Sequence, residues 1–377
     1  MRVLFITRSN IQQKLNSGGF IVARRNYELI KEYYGEENVK CFIIDSEVGK
    51  DSKRFKYYYR EKNNIAIYLN YVFFRDGYSK KTEKKLVADI NCFNPDLIFI
   101  DGSTYGGLLK KININCKIVL YMHNIEKSYS WERVINNSKL CIFRYFAYWY
   151  NEKKAVNMAA KVLCINSRDE KELMKYYKRK SDDIIPVSFA DSFSETEMKA
   201  YAKKKDEPFI LFVGSYFLPN YQGILWFVEH VMPYISYKLK IVGKGMEEKR
   251  IELERKNVEV IGTVDDLSEY YYAAEAIIMP IFLGSGMKVK TAEAMMYGKT
   301  IFATKEALEG YDICEIPEVY ECNTKEEFIS SISHALNKNN RKFNIPVRKY
   351  FLENFETDTV KIRFRKILEE IGGNVNK

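Results

Sequence analysis

AIIMPIFLGSGMKVKTAEAMMYGKTIFAT, residues 276–304, is the stretch whose reading decides the fold. It begins with an unbroken apolar run of strand length, and TIFAT at its end is a second run of the same kind. Between them TAEAMMYG reads as a helix that stops at Gly298. Strand, helix and strand in so short a span predict a parallel pair joined by a helical crossover. The loop that enters the helix carries Gly284, Ser285, Gly286, Met287, Lys288 and Lys290, with Glu293 one turn further in. Glycine amides and a helix N-terminus can surround an oxyanion, and the two lysines bring full charges to the same place. A carboxylate one turn down can accept hydrogen bonds from paired hydroxyls such as a ribose diol. Solvated lysines at a helix start would explain the charges, but neither the glycines nor the glutamate.

The same alternation runs outward in both directions. VLFIT (3–7), CFIID (41–45), IAIYL (65–69), LIFID (97–101), IVLYM (118–122) and VLCIN (162–166) read as strands in the first half. FILFV (209–213), LKIVG (239–243), VEVIG (258–262), AIIMP (276–280) and TIFAT (300–304) read as strands in the second. Helical patterns separate most of them, including 19–34 and 131–160, which predicts an α/β protein of two doubly wound, Rossmann-like parallel-sheet domains facing across a cleft. Residues 1–190 form the first domain of this reading and 208–345 the second. The polar stretch 191–207 is set as the linker, and 346–377 as helices long enough to cover either domain.

Composition narrows the class. The chain has 377 residues, 46% hydrophobic and 29% charged, as a globular protein does. No apolar run reaches the length of a membrane span, and MRVLFITRSN has neither a signal-peptide core nor a cleavage site, so a cytoplasmic protein is expected. Seven cysteines without a paired spacing predict reduced thiols, no disulfide framework and no metal site. The formal net charge of +10 admits nucleic acid, an anionic membrane or a phosphorylated ligand. No nucleic-acid module is present, so nucleic acid is not expected as a partner.

Parallel sheets bind ligands at the carboxyl ends of their strands, so the remaining candidates are sought there. Ser17, Gly18 and Gly19 precede a helix after the first strand, where backbone amides can meet an anion or merely form a flexible loop. His123 directly follows IVLYM, with Glu126 three residues on; a structural role and a polar role are both open. Gly214 and Ser215 follow FILFV. Asp265 and Asp266 stand at a helix start, where they complement the dipole. GSGMKV lacks the third glycine of GxGxxG, and no Walker-type lysine loop occurs, which argues against dinucleotide redox chemistry.

These segments together resemble a family 4 glycosyltransferase of the GT-B fold over nearly the whole chain. PIFLGSGMKVKTAEAMMYGKTIFATKEALEG (280–310) is the most specific of them, followed by FVGSYFLPNYQGILWFVEHVMPYI (212–235), MHNIE (122–126) and NSGGF (16–20). The resemblance implies transfer of a sugar from a nucleotide-diphosphate donor, with retention and without a divalent metal or other cofactor. It places Glu293 on the ribose hydroxyls, Lys288 and Lys290 on the diphosphate, and the amides of Gly284 to Met287 on the donor sugar and phosphates. Gly18 and Gly19 would approach the diphosphate from the other domain, and His123 would line the donor sugar. Two positions depart from the pattern. Ser285 stands where many relatives carry glutamate, and GSYFLPNYQG (214–223) has no Arg or Lys where many carry both, a charge that Lys288 and Lys290 are expected to supply.

KDSKRFKYYYREK (50–62) and KLCIFRYFAYWYNEKK (139–154) mix basic and aromatic side chains in the domain expected to hold the acceptor. The mixture suits docking at the inner face of an anionic membrane, or a core helix and a solvated loop. On the first reading the acceptor is a saccharide or lipid-linked saccharide of bacterial capsule, exopolysaccharide or O-antigen synthesis. A GT-B sugar-nucleotide epimerase and a non-catalytic GT-B subunit are the rival readings. MHNIE and the Pro219–Asn220 segment argue against the first, and the retained lysines, glutamate and histidine against the second.

Overall fold

VLFIT, LIFID and FILFV lack polar alternation because each is buried along its whole length in the middle of a sheet covered on both faces. The computed structural model describes residues 1–13, 18–47, 49–113, 115–136, 141–202, 207–284, 287–314, 316–338 and 343–372. The chain divides into two compact units, Met1–Val187 with Val360–Lys377, and Ser188–Thr359.

Unit 1 runs β1 (Val3–Thr7), α1 (Gly18–Tyr34), β2 (Val39–Asp45), β3 (Phe55–Tyr59), α2 (Asn64–Val72), α3 (Lys80–Phe93), β4 (Leu97–Asp101), α4 (Gly106–Leu109), β5 (Lys117–Met122), α5 (Glu126–Asn136), α6 (Cys141–Met158), β6 (Lys161–Cys164), α7 (Ser167–Tyr177) and β7 (Asp183–Ile184). Unit 2 runs α8 (Glu195–Ala202), β8 (Phe209–Val213), α9 (Leu218–His230), β9 (Lys238–Val242), α10 (Arg250–Leu253), β10 (Val258–Gly262), α11 (Ser268–Ala273), β11 (Ala276–Met279), α12 (Val289–Met296), β12 (Thr300–Ala303), β13 (Val319–Glu321), α13 (Lys325–Lys338) and α14 (Ile345–Asn354). α15 (Thr357–Gly372) starts in unit 2 and then joins unit 1. There Phe364 packs 5.7 Å from the Phe99 ring, and the Leu368 carbonyl accepts a 3.2 Å hydrogen bond from the Tyr34 hydroxyl.

Both sheets are parallel, in the orders β3-β2-β1-β4-β5-β6-β7 and β10-β9-β8-β11-β12-β13. These are two doubly wound domains, as the strand pattern predicts. Each order turns back once, between β1 and β4 and between β8 and β11, and such switch points open a crevice beyond the strand ends.

IAIYL (65–69), expected as a strand, is instead the middle of α2. Asn63 starts that helix: its side-chain oxygen accepts from the amides of Ile65 at 2.8 Å and Ala66 at 3.4 Å. The run is apolar because Tyr71 faces α6 while Ile65, Leu69 and Phe73 cover the outer face. The helical stretch 131–160 is two helices, α5 and α6. Residues 191–207, set as a linker, lie inside unit 2, where α8 stacks Tyr201 on Tyr272 at 5.7 Å. Among the described residues no helix is long and apolar enough to cross a membrane.

Candidate functional site

In unit 2 the switch point is framed by the loop after β8, with Gly214 and Ser215, and the loop from β11 to α12. The first loop is held down by backbone: the Gly214 amide donates to Val242 O at 2.9 Å, and Asn220 Nδ2 to Ser215 O at 2.9 Å. α9 comes close enough to the end of β11 that Gly223 has no room for a side chain. A Cβ there would lie 1.9 Å from the Pro280 carbonyl oxygen.

The second loop carries the charges. Gly284 has φ +148°, and a Cβ on it would press at 3.3 Å on both Lys288 and Glu306. Lys288, the residue that caps α12, pairs its ammonium with Glu306 at 2.7 Å, while its carbonyl accepts from the Tyr311 hydroxyl at 2.7 Å. Lys290 pairs with Glu293 at 2.7 Å, and the Tyr271 hydroxyl donates to the same carboxylate at 3.1 Å. Both contacts fall on Oε2, so among the described residues Oε1 of Glu293 carries no hydrogen bond. Burial, reinforced by the Glu293 charge, pushes the Tyr271 hydroxyl well above its usual range, so it stays a donor. Its ring is stacked on Tyr297 at 4.7 Å, which fixes the carboxylate's direction.

In unit 1 the ends of β1, β4 and β5 form a second polar cluster. Asp101 ends β4, accepts from Thr7 Oγ1 at 2.8 Å, and holds His123 Nε2 at 2.9 Å. Burial alone would lower the His123 pKa; the Asp101 charge and hydrogen bond outweigh it, and the pKa is raised. Glu126 is raised as well, mainly by burial, with Arg8 acting against the rise. Arg8 pairs with the buried Asp76, which also accepts from Thr104 Oγ1 at 2.7 Å and faces Arg60 at 3.7 Å.

The raised His123 pKa carries a stability prediction. Its folded value exceeds the unfolded one, near 6.5, so its contribution is complete below about pH 6.5 and disappears as pH rises through the folded value. His123→Gln therefore lowers stability by about 2 kcal/mol near pH 6, as loss of one charge-assisted hydrogen bond does, and the gap to the parent protein narrows toward pH 9. Melting curves at several pH values check this; a gap that is constant with pH would contradict it.

The structure thus brings Gly284, Met287, Lys288, Lys290 and Glu293 into one strand-end loop and helix, with Gly214 and Ser215 at the adjoining strand end. His123, Gly18 and Gly19 belong to unit 1, where α1 starts at Gly18 and a Cβ on Gly19 would meet nothing within 4 Å among the described residues. Ser285, Gly286 and Ser17 lie outside the described residues. Asp266 accepts from the Ser268 amide at 2.8 Å at the start of α11, the local role expected of it. Sequence reading missed Glu306, Tyr271, Asp101, Arg8 and Asp76. Only the strand register could have signalled Asp101, which pairs with Tyr121, two residues before His123.

Residues 207–338 match the family model described as glycosyl transferases group 1. No curated protein sequence matches the chain. Among solved structures the chain is similar to sucrose-phosphate synthase from Thermosynechococcus elongatus, with 16% identity, a TM-score of 0.67, and coverage of 98% of this chain and 99% of that one. It is also similar to the lipopolysaccharide outer core galactosyltransferase WaaB, at 11% identity, TM-score 0.66 and full coverage of both chains. A third likeness is to HepE of Anabaena in complex with UDP and glucose, at 12% identity, TM-score 0.61, and coverage of 98% and 99%. At these identities the likeness establishes the fold, which is that of GT-B glycosyltransferases.

Proposed function

We propose that this chain is a retaining family 4 glycosyltransferase that moves a hexose from a UDP- or GDP-sugar to a saccharide or lipid-linked saccharide of surface-polysaccharide synthesis. The observation that carries the reading is the Glu293 carboxylate, anchored on Oε2 by Tyr271 and Lys290 beside the Gly284–Lys288 loop within a group 1 glycosyltransferase match. Oε1 accepts from both hydroxyls of the ribose diol, one on each lone pair. Lys288 and the loop amides meet the diphosphate, whose charge grows as the sugar leaves, so they act more strongly on the transition state than on the bound donor. No divalent metal takes part, and the donor phosphate helps deprotonate the acceptor on the face the leaving group vacates. His123 lines the sugar and donates a hydrogen bond to it. HepE of Anabaena, solved with UDP and glucose, supports a nucleotide-sugar donor.

A thermal-shift screen of UDP-, GDP- and TDP-sugars tests this. One nucleotide series at a hundred times its Kd adds about 2.7 kcal/mol of stability, and Glu293→Ala and Lys290→Ala both abolish the shift. No shift with any nucleotide would overturn the donor site.

The acceptor side of the proposal includes contact with the anionic inner face of the cytoplasmic membrane. α2 supports it alongside the segments the sequence pointed to, in which Tyr59, Phe143, Phe146 and Tyr150 are exposed. Tyr57, Tyr58 and Tyr148 of those segments are buried, whereas Ile65, Leu69 and Phe73 line one exposed helical face. Lys62 and Arg60 precede that helix and Lys80, Lys81, Lys84 and Lys85 follow it. Ile65→Ser/Leu69→Ser/Phe73→Ser is expected to weaken co-sedimentation with phosphatidylglycerol vesicles at least about tenfold, given 1.5–3 kcal/mol for each large apolar side chain fully buried. Unchanged sedimentation would remove α2 from the docking surface.

A further inference from the structure

Away from the residues assigned to the donor, α5, α6 and α7 of unit 1 enclose a pocket of about 350 Å³. Three aromatic side chains form its walls: Trp131 from α5, Tyr145 from α6 and Tyr176 from α7. Trp131 is 45% exposed, although its ring lies only 5.1 Å from that of Tyr145. A tryptophan that gives up so much burial to present its face is a poor core residue and a good platform. Polar groups share the pocket with it. Glu132 and Glu172 stand on opposite helices, and Ser128 Oγ is buried there with no hydrogen-bond partner among the described residues.

We propose that this pocket binds a neutral sugar ring. A pyranose has an apolar face of C–H groups and a rim of hydroxyls. The face lies against an aromatic ring, and the rim donates to carboxylates. A pocket of these dimensions is at the small end of ligand sites and suits one or two rings.

The charges around the pocket select against other occupants. An aromatic box with acidic walls would also suit an organic cation, but a cationic side chain already lies over the Tyr176 face and would repel it. The Lys127 ammonium lies 4.0 Å from the centre of the Tyr176 ring and 4.9 Å from that of Trp149. An anion would meet Glu132 and Glu172. A neutral polyol with an apolar face satisfies all the lining groups together.

The pocket is close to the unit 1 polar cluster along the chain. Between His123 and Ser128 the backbone can span at most about 18 Å, a distance of a few sugar rings. On the glycosyltransferase reading, which this assignment to the acceptor rests on, the pocket grips an acceptor ring remote from the bond being made. It sets which glycan is extended, not which sugar is added.

The test uses the full chain and methyl glycosides of glucose, galactose, mannose and N-acetylglucosamine with their disaccharides as probes. Saturation-transfer NMR and tryptophan emission are recorded on the parent protein, Trp131→Ala and Glu132→Gln; the emission change that belongs to Trp131, as against Trp149 and Trp226, is the part lost in Trp131→Ala. Millimolar binding of at least one probe is expected, weakened tenfold or more by Trp131→Ala and several-fold by Glu132→Gln, at an unchanged melting temperature. Neither exchange alters the thermal shift caused by nucleotides. Absence of transfer to every probe, or equal affinity in Trp131→Ala, would overturn the sugar pocket even where nucleotides still bind. Loss of nucleotide response alone would sink the donor reading and leave the pocket standing.

Discussion

Exchanging Glu293 for alanine is expected to raise the KM for the sugar donor by about 10²- to 10⁴-fold while kcat changes little. Two hydrogen bonds from a diol to a carboxylate are worth roughly 1.5–3 kcal/mol each. A ribose is the same in the bound donor and in the transition state, so their loss is uniform binding and falls on KM. Lys288→Ala has the opposite signature. The charge it faces develops during the reaction, so kcat should drop by about 10²- to 10³-fold, with a smaller effect on KM. Steady-state kinetics on both variants separate the two roles. A KM within threefold of the parent in Glu293→Ala would remove that residue from the donor site. The control is stability: Glu293→Ala leaves the buried Tyr271 hydroxyl without its acceptor and costs the fold about 1–3 kcal/mol, so the kinetics are read well below the lowered melting temperature.

The second large effect concerns the fold. Gly223→Ala is expected to destabilise unit 2 by about 3 kcal/mol and lower its melting temperature by roughly 6–12 °C. The new Cβ would meet a backbone carbonyl at 1.9 Å, and a carbonyl fixed at the end of a strand cannot rotate away as a flexible side chain would. α9 must shift, and because the carbonyl belongs to Pro280, the loop that leads to Gly284 shifts with it. Donor affinity should fall together with stability. Gly19→Ala is the contrast: among the described residues nothing lies within 4 Å of its Cβ, so stability should hold. An unchanged melting temperature in Gly223→Ala would show that the helix has slack the structure does not display.

What could be read in the sequence depended on where burial was complete. VLFIT, LIFID and FILFV are buried on both faces, so they announce themselves as continuous apolar runs. FKYYY at β3 carries a lysine and leaves Tyr59 exposed, and β7 and β13 are two and three residues long; none has a strand's signature. IAIYL misled for the converse reason, because an apolar run on an exposed helical face imitates a buried strand. Within the candidate site, the lysines, glycines and Glu293 sit close together in sequence and could be found as a pattern. Glu306 and Tyr271, which pair with Lys288 and Glu293, come from other elements. Arg8 and Asp76 meet only because the chain returns after α2, a contact that no local spacing encodes.

The last helix has a consequence for synthesis. Phe364, Leu368 and Ile371 of α15 are buried in unit 1, yet the whole of unit 2 is translated before them. At 5–20 residues per second, the roughly 170 intervening residues take about 10–35 s to make. During that interval the nascent first unit has its sheet but not the helix that covers Phe99 and the Tyr34 hydroxyl. Unit 2, continuous in the chain, is complete first. The N-terminal half is born early and finishes last, so a ribosome that stalls or a chain cut before residue 360 leaves an uncovered apolar sheet for chaperones or aggregation to find.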